Sequence, residues 1–407
     1  MLGGVLAAAV VLRLGRTRLM QVAELKTYDA RVRALADPGR ANPDIVIAAI
    51  DDRTLREMPQ FGWPFPRSVH AAVVDYLQYA GARQVVFDVV FADVDADEPA
   101  GDSALADAIA AAPGRAVLPM TMATGRAITG AAYEDSVGLR RFALPSRGTF
   151  GLPELARMEL PLPMLARGAA ALGTVMLNAD STEGGVYAER LAVAHGGRLY
   201  PSLGFAAARL ADPERLGGAV SIRDGRLRSG RVEVPLHAGE MLIRWRGPFI
   251  RGERQTYPVY SYSALARSYD QVAAGEAPTL PPDSLRGKTV LVGATAPGLL
   301  DLRRTPFGPT EPGVMIHASV LDNLLTGDFL RRAPGWINAA LTILVAVGAA
   351  SVVALAGSAL WGALGAAALV LLAGAGAWLA FAGGVWLDLA APVLAGALAY
   401  SGATAVA

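Results

Sequence analysis

From Ala333 to Ala407 the chain carries a single formally charged residue, Asp388. A helix needs roughly 20 apolar residues to cross a bilayer, so these 75 residues have room for three spans, expected at 336–356, 359–382 and 385–407. Gly357-Ser358 and Gly383-Gly384 supply the tight turns. Trp336, Trp361, Trp378 and Trp386 fall near the proposed ends, where amphipathic rings favour the membrane–water interface. Gly362, Gly365 and Gly374 let helix backbones pack closely. A buried domain of equal length would need polar surface helices, and this stretch contains none. The whole chain agrees: 53% hydrophobic and 18% charged residues, with a mean hydropathy of +0.36.

The amino terminus is apolar over Leu2–Leu12, but Arg13 arrives before a full span is complete. A signal-peptide core is about this short. However, no small-residue cleavage site follows, and a helical pattern continues through Met20, Val22, Leu25 and Tyr28. Residues 1–25 are therefore read as a signal-anchor helix, and whether Met1 is its true start stays open. Four spans place both termini on one side. Arg331 and Arg332 then lie outside, against the positive-inside tendency, which is weak beside long translocated domains.

The region 26–332 reads as one extracytoplasmic α/β unit, a mostly parallel sheet with helices and some antiparallel strands. Ile45–Ile50 is a continuous apolar run ending in Asp51-Asp52, the pattern of a fully buried strand. Arg67–Tyr79 follows as an amphipathic helix closed by Gly81, and Gln84–Phe87 is a second buried strand ending at Asp88. Asp102 is placed as the cap of a helix over 103–112. Ala116–Leu118 makes a third strand, and Thr289–Val292 repeats the signature near the end. Such alternation predicts right-handed parallel crossovers. Residues 121–149 are expected to form a surface excursion, and Leu227–Val234 to pair with Met241–Trp245.

Several function classes fall away. With 37 Lys+Arg against 36 Asp+Glu, the chain lacks the basic excess of a nucleic-acid binder. It has no cysteine, which excludes disulfides, thiolate metal sites and a Cys nucleophile. Arg286-Gly-Lys-Thr289 is not a phosphate loop, because Pro282 replaces the first Gly and the run precedes its strand. Asp93–Glu98 fails as a calcium loop at its sixth and twelfth positions, Glu98 and Ala104. The histidines His70, His195, His237 and His317 have no zinc-site spacing, and His317 is read as a packing and hydrogen-bonding residue. No metal, cofactor or catalytic residue is assigned. The Trp63-Pro-Phe-Pro66 run is a stiff connector rather than helix or central strand.

Four carboxylates remain as ligand-binding candidates: Asp51, Asp52, Asp88 and Asp301. The first three follow buried strands and the fourth lies on the loop after the last one. In open parallel sheets, ligands sit beyond the carboxyl ends of the strands. There these aspartates either hold a cation or a small ligand, or cap helices and pair with Arg53, Arg303 or Arg304.

The order of motifs resembles the second type of CHASE domain, a sensory extracellular domain associated with cyclases and histidine kinases. The matching residues are Lys26-Thr-Tyr-Asp29 with Arg31, Ile47-Ala-Ala-Ile50-Asp51-Asp52, Gly62-Trp-Pro-Phe-Pro-Arg67 with His70, and Val86-Phe-Asp88-Val-Val-Phe91. They continue in Leu285–Thr295, Asp301 with Thr305-Pro306, Pro312–Ala318 and Leu321–Leu325. Residues 121–257 match no motif. The resemblance implies one helix before the domain, three after it, and then a cytoplasmic output such as a class III nucleotide cyclase, a histidine or Ser/Thr kinase, or a diguanylate cyclase. The expected protein is a bacterial inner-membrane receptor, with its stimulus a small molecule or protein, and it works as a homodimer. The alternatives are a stand-alone regulator of a partner protein and a membrane-anchored periplasmic enzyme. The helix entering at Tyr28 and the one leaving after Leu330 are expected to be the only covalent routes for a signal.

Overall fold

The computed structural model describes residues 2–405 except 16, 113, 124–128, 253 and 300. The start at Met1, part of the 121–149 excursion and the last two residues of the third expected span lie outside the described residues. The chain forms two compact units. A helical unit contains residues 1–36, 179–185 and 330–407, and a globular unit contains 37–178 and 186–329. The inclusion of 179–185 revises one expectation: an internal segment joins the two units as well as the two chain ends.

The globular unit is built on a seven-stranded sheet. In chain order its strands are β1 (Ile45–Ile50), β2 (Gln84–Asp88), β3 (Ala116–Met122), β4 (Met158–Glu159), β5 (Ala171–Thr174), β6 (Val259–Ser261) and β7 (Thr289–Ala294). They lie in the order β6-β1-β7-β2-β3, with β5 parallel and β4 antiparallel to β3. All six residues of β1 and of β7 are buried, which explains their unbroken apolar runs. The Arg67–Tyr79 helix has the expected bounds and buries Val69, Val73, Val74 and Leu77. The expected mostly parallel α/β sheet is present, and β7 inserts between β1 and β2.

Three local expectations are corrected. The helix near Asp102 begins at Pro99, where proline's missing N–H is harmless in a first turn. Asp102 instead accepts the Asp95 N–H and lies 3.7 Å from Arg67. Leu227–Val234 is itself a hairpin: Arg226–Ser229 pairs with Val232–Pro235, and Gly230 turns it with φ of 56°, a conformation suited to glycine. Met241–Leu242 pairs with Ala188–Glu189 instead. The 121–149 region is not all surface: Thr121 and Met122 complete β3, Ala131–Val137 is helical, and Val137, Leu139 and Phe142 are buried.

A single buried helix, Gly313–Thr326, crosses the globular unit; every residue from Gly313 to Leu324 is buried. We call it the core helix. It packs on β1 and β7 and on the Leu203–Ala211 helix. Gly293 of β7 permits this, because a Cβ there would fall 2.5 Å from Val314 Cβ.

In the helical unit, Gly335–Leu355 and Ala359–Ala382 are long and apolar enough to cross a membrane, with mean hydropathies of 2.2 and 2.0. Leu344, Leu355, Leu371 and Leu379 are each at least 70% exposed, a surface suited to hydrocarbon rather than water. The third expected span is shorter. Val385–Trp386 pairs as a strand with Arg331–Arg332, and the helix runs from Ala390 to Thr404. Asp388, the lone charge of this region, pairs with Arg332 at 2.7 Å. The amino-terminal helix is also divided, into Leu2–Leu14 and Arg18–Leu35. Small residues make the packing close: a Cβ on Gly4 would sit 2.7 Å from the Ala346 carbonyl oxygen.

Glu24 organises the junction of these helices. Its Oε1 accepts hydrogen bonds from Arg31 Nη2 at 2.6 Å and Trp386 Nε1 at 2.8 Å. Its Oε2 accepts the Leu389 and Ala390 N–H groups at 2.7 and 2.9 Å, so a carboxylate from one helix caps the start of another. Tyr28 packs edge-on to Phe381 and tilted against Trp386.

The Gly293–Val314 contact yields a direct check. Gly293→Ala forces β7 and the core helix apart, with an expected cost of about 1–3 kcal/mol. Thermal unfolding of the purified chain should show a lowered midpoint.

Candidate functional site

The structure separates the four candidate aspartates. Asp51 caps the Asp52–Glu57 helix: its Oδ1 accepts from the Thr54 N–H at 2.7 Å, Thr54 Oγ1 at 2.7 Å and Ser261 Oγ at 2.8 Å. Asp52 is exposed in the first turn of that helix, where a carboxylate complements the helix dipole. These two have the structural roles weighed for them. Asp88 and Asp301 belong to a different place, a cluster built around the core helix.

His317 is the centre of that cluster. It lies one turn into the core helix and is 1% exposed. Its Nε2 is 3.7 Å from Asp88 Oδ1, and its Nδ1 is 3.4 Å from Glu189 Oε2. Asp88 ends β2 beside Gly293 of β7. Glu189 is fully buried on the short strand paired with Met241–Leu242. Asp301 lies against the start of the core helix, where a Cβ on Gly313 would meet its Oδ2 at 2.5 Å, and it pairs with Arg303 at 3.1 Å. Arg303 and Asp301 are 44% and 26% exposed and form the outer rim.

The cluster gathers several incompletely satisfied groups in one place. Asp88 Oδ2, both carboxylate oxygens of Glu189 and His317 Nδ1 are buried without a hydrogen bond. Such groups normally cost free energy, and of these atoms His317 Nδ1 and Glu189 Oε2 face each other as an ion pair. Burial pushes the Asp88 carboxyl up to about 7, with the negative charges of Asp301 and Glu189 adding to the effect and His317 and Arg303 opposing it. For His317 burial opposes the charged form, but Asp88 and Glu189, with Asp301 beyond, outweigh it and raise the imidazole to about 9. His70 is the contrast. Burial holds it down at about 3, and its Nδ1 lies 2.6 Å from the Tyr262 hydroxyl among aromatic rings. The sequence places both histidines on apolar helices; only the structure shows that one faces rings and the other carboxylates.

The other end of the core helix is tightly held. Asp322 Oδ1 accepts from Arg246 Nε and Nη2 at 3.0 and 2.9 Å, and its Oδ2 accepts from the Asn42 N–H at 2.8 Å and Tyr257 at 3.1 Å. Asn323 exchanges two bonds with the Arg244 backbone. Arg244, Arg246 and Arg40 then converge on Asp328. Asp322-Asn323 stood within a family motif, but the partners Arg244 and Arg246 fall in the unmatched middle, as does Glu189.

Two further places merit comparison. Among the described residues no group of three or more His, Asp or Glu side chains has the arrangement to hold a metal ion. A half-open polar cavity of about 320 Å³ lies in the helical unit, lined by residues including Gln21, Glu24, Asp180, Thr182, Arg332 and Trp386. Glu24 and Arg332 are already paired within the unit.

The profile of the CHASE2 domain matches residues 4–357, a range that contains the sheet, the core helix and Gly335–Leu355. The chain belongs to the CHASE2 family. CHASE2 domains are sensory extracellular domains rather than catalytic ones. No curated protein and no solved structure matches this chain.

The cluster predicts a pH dependence with a defined sign. Asp88 rises from 3.8 to about 7 on folding and His317 from 6.5 to about 9. In both intervals the folded CHASE2 domain binds more protons than the unfolded chain. Stability is therefore greatest at the acidic end and declines as pH rises through 7 and then 9. Unfolding temperatures between pH 5 and 10 should fall accordingly. Asp88→Asn should flatten the lower part of that decline and His317→Gln the upper part.

Proposed function

We propose that this chain is the sensory module of a membrane receptor, with the Asp88–Glu189–His317–Asp301 cluster as its stimulus site and the core helix as its transmitter. One observation carries this reading: the core helix has a half at His317 whose buried polar groups lack hydrogen bonds and a clamped half at Asp322. A change in charge or occupancy at the cluster then tilts the helix about the Asp322–Arg246 pair. Its C-terminal end at Thr326 is followed within a few residues by Leu330, the first residue of the third segment of the helical unit. A signal can pass only to the extent that the stimulus distinguishes two states.

In this reading the helical unit lies in a bacterial inner membrane and the globular unit is on the extracytoplasmic side. Two copies act together, and the output is a class III nucleotide cyclase or a kinase supplied beyond or beside this chain. The apolar surfaces of Gly335–Leu355 and Ala359–Ala382 support membrane insertion. The family membership supports the sensory role.

The test joins the chain to the catalytic part of a class III cyclase and follows nucleotide production in membranes. His317→Gln removes the cation between two buried carboxylates and should change basal output about fivefold or more, the scale of ordinary allosteric coupling. Asp52→Asn, at the exposed capping site, should leave output unchanged. A folded His317→Gln protein with wild-type output would sink the assignment of the cluster as the stimulus site.

A further inference from the structure

We infer that the cluster binds a small primary ammonium ion, a compact monocation with several N–H donors. This deepens the receptor reading above and rests on it. The charge of the site sets the sign. Asp88, Glu189 and Asp301 are opposed by Arg303 and the protonated His317, which leaves one negative charge uncompensated. The unmet hydrogen-bonding capacity has the same character: three of the four unsatisfied atoms are carboxylate oxygens, which only accept from a donor. An ammonium group supplies both the missing charge and up to three donors. A metal ion is a poorer fit, because no three ligating side chains have the needed arrangement among the described residues. The approach is from the rim at Asp301 and Arg303, the two exposed members.

No other element packed on the core helix competes for this role. β1 and β7 carry no titratable side chain. The Leu203–Ala211 helix contributes Arg209, which is bonded to the Leu216 carbonyl and to Ser229. Glu311, on the strand before the core helix, accepts the Phe249 N–H. A proton on Asp88 and an ammonium ion beside it neutralise the same excess charge. Ammonium binding therefore displaces that proton, and affinity rises with pH until Asp88 is fully ionised.

The experiment uses the full chain in detergent or nanodiscs, with methylammonium chloride compared against tetramethylammonium chloride at equal ionic strength. Methylammonium should raise the unfolding temperature with the logarithm of its concentration and slow amide exchange in Gly313–Thr326. Tetramethylammonium, a cation without N–H donors, should do neither. Glu189→Gln should weaken methylammonium binding about tenfold or more, and Asp301→Asn, at the exposed rim, gives a second variant should the first fail to fold. Equal effects of the two salts, or none, overturn the ligand class. Exchange in the core helix is also followed from pH 6 to pH 9 without added amine. If methylammonium fails but exchange there changes with pH, the stimulus-site reading stands and the ammonium assignment falls. If neither perturbation moves the core helix, both fall.

Discussion

The pair between Arg246 and Asp322 is the constraint on which the globular unit depends. Arg246 is 3% exposed and Asp322 is fully buried, so both ions have left water. Desolvation of that kind exceeds the mutual attraction unless every remaining polar atom finds a partner. Here every one does: the carboxylate accepts five hydrogen bonds, and Arg246 reaches Asp328 and Thr326 as well. A helix that carries His317, Asp322 and Asn323 can therefore run through the interior with one position fixed. The partners come from distant parts of the chain, Asn42, Tyr257 and Arg246, so closing this network gathers the unit around the core helix.

The helical unit solves a similar problem with a different charge. Glu24 is buried against a segment separated from it by more than three hundred residues, yet five donors reach it, Thr27 Oγ1 among them. By capping the Ala390–Thr404 helix it makes the start of that helix depend on the Arg18–Leu35 helix. Arg31 adds a bond to the Leu387 carbonyl and lies 5.0 Å from the Phe381 ring. The Lys26–Arg31 family motif is thereby explained in physical terms. Tyr28 and Arg31 are the surfaces on which the 381–390 segment is assembled.

The sequence was most informative where one element had one environment. β1 and the Arg67–Tyr79 helix are legible to the residue because burial on both sides, or on one stripe, writes itself directly into residue spacing. Topology was less legible. Nothing local states that β7 inserts between β1 and β2, since a strand's partners are chosen by faces that form only in the sheet. The site was half legible. Asp88 and Asp301 were visible as acids after strands, but Asp51 sits in an equivalent place and is a cap. The difference is made by Thr54 and Ser261, one of them more than two hundred residues away. Glu189 left no signal: it is a single acid on a two-residue strand in the region without family motifs. His317 reads as a packing and hydrogen-bonding residue because it opens a mostly apolar run to Leu325, and only the arrival of two carboxylates changes its character.

The two ends of the core helix also explain why a sensor would be built this way. A fully satisfied polar network resists displacement, because any movement leaves buried groups without partners. An unsatisfied one is poised, since a proton or a cation gains more there than in water. With both kinds on one helix of 14 residues, in the proposed reading the free energy of a stimulus is spent at His317 and resisted at Asp322. The expected response is rotation about a pivot rather than bodily translation. A helix clamped at both ends would transmit nothing, and one loose at both ends would have no defined second state. The asymmetry in hydrogen bonding is thus the physical basis for reading the core helix as a transmitter.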